Sequence, residues 1–337
     1  MILAGDIGGT RSRLAVYQPG HPTPVAERRY ASDEHASLSR ILAAFRREIE
    51  TREGLDWENL HAAAFGVAGP VAGRPGEEVA RTTNLPWTVA AAEIREDLAG
   101  APVRLVNDLV AVGMGAMASP VREREALNPQ ANFEGGHVAV IAPGTGLGEA
   151  VFFHDGHRFL PMPSEGGHCD FAPNDAREDE LLGFMRRRCH GHVSYERLLS
   201  GDGFAALYAF AREQALGRPA PDADRRLADA PDRNAVVTRM AVGGEDECAV
   251  IACRLFARIL GAEAGNLALK TLPFGGVFIA GAVAGHVLPF LREETLGGFL
   301  DKGRFGELLA RMPLWVVADA DLGLAGAREL AEQEFQA

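Results

Sequence analysis

The run Gly5-Asp6-Ile7-Gly8-Gly9-Thr10, at the start of the chain, limits the possible folds more than any other feature. It follows the short apolar stretch 1–4 and leads into the alternating residues 13–17. That pattern predicts a β-hairpin whose tight turn is made by Gly8 and Gly9, with the hydroxyl of Thr10 beside them. Paired glycines let backbone N–H groups approach an anion closely, so such a turn suits a phosphate. A P-loop would carry a lysine followed by Ser or Thr at the opening of a helix. This run carries the Asp6 carboxylate instead, which fits a phosphate cradle that also holds Mg²⁺, directly or through water. A glycine-rich hairpin that binds nothing fits the same residues.

A second cluster repeats the design. The apolar stretch 138–142 is followed by Pro143-Gly144-Thr145-Gly146-Leu147-Gly148 and a further strand-like stretch, 149–153. Two phosphate-type hairpins in one chain hint at two halves of related design and at an internal duplication. A third run, from Gly275-Gly276 to Gly281, ends an apolar strand in small residues where a helix is expected to begin. These small residues suit either a flat purine lying on the backbone or a close strand-to-helix turn.

Between the first two clusters, an apolar strand over 103–106 ends in Asn107-Asp108 and gives way to a small-residue helix over 109–117. Asp108 therefore stands at the carboxyl end of a strand, where α/β proteins bind ligands. It can cap the helix, or it can accept a proton from a hydroxyl. Downstream, Glu165 and His168 flank Gly166-Gly167, so both side chains can turn from a bent loop toward one small polyol. Glu196, near the start of an amphipathic stretch, is either a further acid for such a site or a solvated residue.

In order and spacing these segments resemble the proteobacterial-type glucokinases of the hexokinase–actin–Hsp70 ATPase superfamily. The matching segments are GDIGGTRSRLAV from Gly5, TNLPW from Thr83, LVNDLVAV from Leu105, GTGLG from Gly144, PSEGGHCDFAP from Pro163, GHVSYERLLSG from Gly191, GGVFIAGAV from Gly275 and DKGRF from Asp301. The resemblance implies a two-domain α/β protein of the ribonuclease H-like (actin-like ATPase/hexokinase) fold with its site in an interdomain cleft. The implied activity is ATP-dependent phosphorylation of glucose at the 6-hydroxyl. It further implies that Asp108 is the catalytic base, and that Asn107, Glu165, His168 and Glu196 hold the sugar. The runs Gly8-Gly9-Thr10, Gly144-Thr145-Gly146 and Gly275-Gly276 through Gly281 then contact the nucleotide, and Asp6 serves its Mg²⁺. A homodimer is the family expectation, as is closure of the domains over bound sugar to keep water from the γ-phosphate. Arg11, Leu109, Pro143, Glu149 and Ser164 depart from the residues usual in the family, without removing a catalytic group. They leave open another hexose or another phosphoryl donor, such as polyphosphate or ADP. A sugar sensor without enzymatic activity would require a DNA-binding helix-turn-helix, for which no stretch is seen.

Composition agrees with a cytoplasmic enzyme; the small-molecule sugar and the nucleotide are the partners that the resemblance implies. At 337 residues the chain is long enough for two cores. A formal net charge of −12 with no basic arm argues against nucleic acid as a partner. No apolar run approaches a membrane span, and the stretch 1–4 is too short and uncharged for a signal peptide. Cys169, Cys189, His190 and His192 could form a Cys₂His₂ zinc set, but zinc-binding relatives use a tight CxC-type cluster that this chain lacks, and ordinary reduced cysteines are expected. Cys248 and Cys253 fall in a helical pattern as core residues.

The expected organisation is a small α/β domain of residues 1–118 plus 314–337 and a larger α+β domain of residues 119–313. The first holds a helix over 37–50 and a strand over 61–67. Residues 119–136 read as a connection with surface loops, and 218–232 as a surface excursion. Helices are expected over 203–216, 247–269 and 323–334, with a strand over 314–318 that returns with the last helix to the first domain.

Overall fold

The computed structural model describes residues 1–82 and 85–336. Thr83 and Asn84, which open the TNLPW segment, lie outside the described residues. Strand β1 (Ile2–Ile7) is buried almost throughout, so it needs cover on both faces. It pairs antiparallel with β2 (Arg11–Tyr17), which turns back into β3 (Ala26–Ala31). On its other side it pairs in parallel with β4 (Ala62–Val67), whose residues Ala-Ala-Ala-Phe-Gly-Val are all buried. Strands β5 (Val71–Ala72), β6 (Val79–Arg81) and β7 (Thr88–Ala90) form a separate small sheet. Then β8 (Val103–Asn107) completes the main sheet, in the order β3-β2-β1-β4-β8.

The helix Leu38–Arg52 is capped by the Ser37 hydroxyl, which accepts the Arg40 N–H. Its buried residues Leu38, Ile41, Leu42, Phe45 and Ile49 recur at helical spacing, and they share one core with Leu3, Phe65 and Val67 of the sheet. The helix Leu322–Gln336 lies against β1, β4 and the helix Asp108–Ala118. Glycines let these two helices touch backbone to backbone. A Cβ on Gly326 would fall 1.7 Å from the Ala111 carbonyl oxygen, and one on Gly115 would fall 2.2 Å from that of Leu322. These elements make one unit, Met1–Pro120 with Ala320–Ala337.

The second unit is Val121–Asp319. Its strands are β9 (Glu125–Ala126), β10 (Val138–Pro143), β11 (Leu147–His154), β12 (Phe159–Ser164), β13 (Val277–Ala280) and β14 (Leu314–Val317), in the order β12-β11-β10-β13-β14-β9. Three antiparallel strands followed by two parallel ones repeat the order of the first sheet, strand for strand, with β9 added at the edge. The duplication hinted at by the two glycine hairpins is therefore present in the topology. The core of this unit gathers around the 25-residue helix Glu247–Thr271, in which Cys248 and Cys253 are both buried.

Three expectations need correction. The strand at Leu314 does not return to the first unit: β14 lies between β13 and β9, and the chain comes back only at Ala320. Its apolar run marks a buried strand, but burial alone does not say in which sheet. Residues 119–136 are more than a loop connection, because β9 pairs with β14 and the buried Asn128 amide donates to the carbonyls of Ala310 and Met312 at 3.0 Å each. Residues 218–232 carry the helix Ala223–Ala228, with Ala223 buried, and the Ala220 N–H donates to Asp246 at 2.7 Å.

Candidate active site

In the first unit Asp6 stands near the end of β1 and Asp108 directly follows β8, with β4 between those two strands. Gly8 N–H donates to the Arg11 carbonyl at 3.0 Å and closes the β1–β2 turn, while the Ser32 hydroxyl donates to the Gly8 carbonyl at 2.8 Å. A side chain at Gly8 would meet the Arg11 carbonyl at 2.9 Å, so close approach requires glycine there. Arg11 itself is exposed. Asp6 pairs across the hairpin with Arg13, whose guanidinium binds Asp321 at 2.5 Å and Glu27 at 3.0 Å. Gly323, near the start of the last helix, stands where a Cβ would lie 3.1 Å from the Asp6 carboxyl carbon. Burial raises the Asp6 pKa to about 6, against the pull of Arg13 and with further upward push from the charges of Asp108 and Asp321. The turn thus carries a surplus of negative charge.

Asn107, not Asp108, is the residue that caps the helix. Its side-chain oxygen accepts the Leu109 N–H at 3.0 Å, and its amide donates to the Gly69 carbonyl at 3.0 Å. Gly69 sits at φ +146°, and a Cβ there would strike the Arg81 carbonyl at 2.1 Å. Asn107 retains one N–H and one lone pair for a ligand. Asp108 is the first residue of the helix and half-exposed, and one of its oxygens accepts the same Leu109 N–H at 2.9 Å. Gly66 admits this helix start onto β4, since a Cβ there would lie 2.7 Å from that of Ala111. Since Asn107 already supplies the cap, the Asp108 carboxylate is not needed for that purpose.

In the second unit the β10–β11 turn is held by Gly144 N–H to the Gly146 carbonyl and by Gly201 N–H to the Gly144 carbonyl, both at 2.8 Å. Glu196 reaches this turn: its Oε2 accepts the Leu147 N–H at 3.1 Å, and a Cβ at 146 would lie 2.5 Å from that oxygen and displace the carboxylate. The other oxygen of Glu196 faces His168 Nδ1 at 3.8 Å, and His168 Nε2 faces Glu165 at 3.9 Å. These distances exceed a hydrogen bond, which leaves donors and acceptors of all three side chains available to a polyhydroxyl ligand. Glu165 and His168 are exposed. The two glycines between them are there for close approach: a Cβ on Gly166 would lie 2.1 Å from Glu149 Oε2, and one on Gly167 would lie 2.1 Å from the Leu147 carbonyl. Ser164 braces the loop, donating to the Glu149 carbonyl at 3.0 Å and accepting the Gly166 N–H at 3.2 Å.

Expectation grouped Gly275, Gly276 and Gly281 with Gly144, but the structure separates them. Gly281 follows β13 at φ +101° and has the Pro143 carbonyl 3.9 Å from its Cβ position, beside the Gly144 turn. Gly275 and Gly276 precede β13, at the opposite end of the sheet. Packing explains both: a Cβ on Gly275 would meet the Gly136 carbonyl at 2.6 Å, and one on Gly276 the Trp315 ring at 2.4 Å. Of the cysteine–histidine grouping, His192 directs Nδ1 to Asp170 at 3.0 Å and Nε2 to the His168 carbonyl at 3.2 Å. Among the described residues no group of three or more His, Cys, Asp or Glu side chains is arranged to hold a metal ion.

Sequence reasoning missed the partners Arg13 and Asp321 around Asp6, and the buried acids Glu149 and Glu263 behind the Gly166 loop. Glu263 did carry a signal, as an acid inside the small-residue run Gly261-Ala262-Glu263-Ala264-Gly265.

Two repeated sheets, each opening in a glycine hairpin, define an α/β protein of the ribonuclease H-like (actin-like ATPase/hexokinase) fold. Residues 3–334 match the family model described as glucokinase. The glucokinase of Synechocystis sp. is 35% identical, over 98% of this chain and 98% of that one. A crystallised glucokinase from an Antarctic psychrotroph superposes with a TM-score of 0.79 at 27% identity, covering 98% of each chain. A glucokinase of Streptomyces griseus, solved with glucose and AMPPNP, shares the fold at a TM-score of 0.64 and 22% identity, covering 98% of this chain and 99% of that one. The chain belongs to the glucokinase family, enzymes that phosphorylate sugars. Among the described residues no helix is long and apolar enough to cross a membrane.

Proposed function

We propose that this chain transfers the γ-phosphoryl group of ATP to the 6-hydroxyl of D-glucose, with Asp108 as general base. Asn107, Glu165, His168 and Glu196 hold the sugar. The turns Gly8-Gly9-Thr10 and Gly144-Thr145-Gly146, together with Gly281, contact the nucleotide. The observation that carries this reading is the convergence of Glu165, His168 and Glu196, with hydrogen-bonding capacity unspent, on a loop tied to the Gly144 turn through Leu147. The name shared by the relatives supports glucose as the acceptor, and the AMPPNP bound by the S. griseus protein supports ATP as the donor.

Phosphoryl transfer asks for a held acceptor oxygen, neutralised charge and exclusion of water. The carboxylates accept protons of ring hydroxyls, and His168 donates or accepts, so that the ring is oriented with one hydroxyl presented. Asp108 takes the proton of that hydroxyl as its oxygen attacks phosphorus. The surplus negative charge around Asp6, Asp108 and Asp321 fits a divalent cation, with Asp6 as the residue that would hold Mg²⁺ through water. When bound, the ion supplies charge neutralisation on the phosphates.

A coupled assay over a panel of hexoses and amino sugars, with ATP, ADP and polyphosphate as donors, tests the reading. Glucose with ATP is expected to give the highest kcat/KM; a different sugar or donor in first place contradicts it.

A further inference from the structure

Directly behind the Gly166 loop lies a polar group that phosphoryl transfer does not use. Glu149 on β11 is 2% exposed and Glu263 on the helix Glu247–Thr271 is 1% exposed, and the charge of Glu263 acts on Glu149. Each keeps one buried oxygen, its Oε1, with no hydrogen-bond partner. Two buried carboxyls in contact cannot both be ionised, and a single proton between them satisfies the orphan oxygens. Glu149 touches the Glu165–His168 loop closely, since its Oε2 occupies the space that a Cβ on Gly166 would need. From Glu263 the network continues: Oε2 accepts the Asn266 amide at 2.8 Å, and the same amide group lies 3.0 Å from the Tyr195 hydroxyl. Tyr195 directly precedes Glu196, and its N–H donates to the Cys169 carbonyl, one residue past His168. One buried network therefore touches the backbone on both sides of the sugar-binding side chains.

We infer that Glu149 is a positioning residue for sugar binding, holding the Glu165–His168 turn and the Tyr195–Glu196 segment through a proton shared with Glu263. This rests on those residues being the sugar ligands. Loss of the proton sets two like charges against each other beneath Gly166 and pushes the loop outward. Burial and the charge of Glu263 raise the pKa of Glu149 to about 8, which brings this loss within reach of ordinary buffers. The facing groups are Lys270 on the long helix and Lys302 beyond it, both of which favour the ionised acids. Tyr195 faces Glu263, and Glu178 and Asp301 act through Lys302.

The test splits KM from kcat. In the wild type the KM for glucose is expected to rise at least threefold between pH 7 and pH 9, with the KM for ATP unmoved. Glu149→Gln keeps the shape and a donor toward Glu263, so it should retain the pH 7 value and flatten the rise. Glu149→Ala should raise the glucose KM about tenfold at pH 7 with kcat nearly kept. A glucose KM in Glu149→Ala within twofold of wild type, or an alkaline rise that Glu149→Gln does not flatten, overturns the inference. Amide hydrogen exchange at Gly166–His168, compared between wild type and Glu149→Gln at the same pH, reads the loop without any sugar. Faster exchange in the wild type at pH 9 only is expected, and equal exchange at both pH values contradicts it. That readout stands even where the sugar assignment fails.

Discussion

At Asp6 the demands of stability oppose those of the proposed reaction. Its raised pKa means the folded state favours the neutral form. The sign follows by linkage: the folded protein binds more protons, so this contribution is full at acid pH and is lost as pH rises from about 4 through about 6. Above that range a buried charge, only partly offset by Arg13, sits beside Asp108 and Asp321. Asp6→Asn should therefore melt higher than wild type at pH 7 without nucleotide, by about 1–3 kcal/mol, while losing most turnover. A variant that melts lower would mean that the Arg13 contact outweighs burial. On the sugar side, Glu165→Gln and His168→Ala should each weaken glucose about 10- to 100-fold, as for loss of a charged hydrogen bond, and leave ATP affinity alone. Titration calorimetry showing equal losses for both ligands would move these residues out of the sugar site. The sequence made Asp108 ambiguous because a cap and a base both want a carboxylate at a helix start. The structure resolves the cap by giving it to Asn107.

At the scale of elements, glycine does most of its work by absence of volume. Gly326→Ala forces a Cβ to within 1.7 Å of the Ala111 carbonyl and should cost about 1–3 kcal/mol or more, read as a lower urea midpoint. Gly183→Ala is the control. It lies within the helix Ala176–Cys189 with its nearest neighbour 3.9 Å away, and it should gain up to about 1 kcal/mol from helix propensity. A midpoint for Gly326→Ala equal to wild type would deny the close helix contact. Elements with strong patterns were legible in the sequence: the helix expected over 37–50 runs Leu38–Arg52, and that expected over 247–269 runs Glu247–Thr271. Strands β5, β6 and β7 were not, because two or three residues carry no period. The glycines at 275 and 276 misled for a related reason. A glycine needed beside a tryptophan ring reads the same in sequence as one needed beside a phosphate.

For the whole molecule, the repeated strand order explains why two glycine hairpins stand so far apart in the chain yet share one design. Each unit builds its own core and carries its own candidate residues, Asn107 and Asp108 at a helix start in the first and Glu165, His168 and Glu196 in the second. The hairpins and the acids were visible because such sites need particular residue types at fixed spacing. The assignment of β14 and the buried Glu149–Glu263 pair were not, because both depend on which distant segments meet. In the proposed reaction Asp108 removes the proton of the glucose 6-hydroxyl. Asp108→Asn keeps size and the contact to the Leu109 N–H but loses basicity. Steady-state kinetics with glucose and ATP, together with calorimetric glucose binding, should show turnover reduced by roughly 10²–10⁴-fold with glucose affinity and melting temperature nearly unchanged. Turnover within a few-fold of wild type in a folded variant that binds glucose would contradict the account.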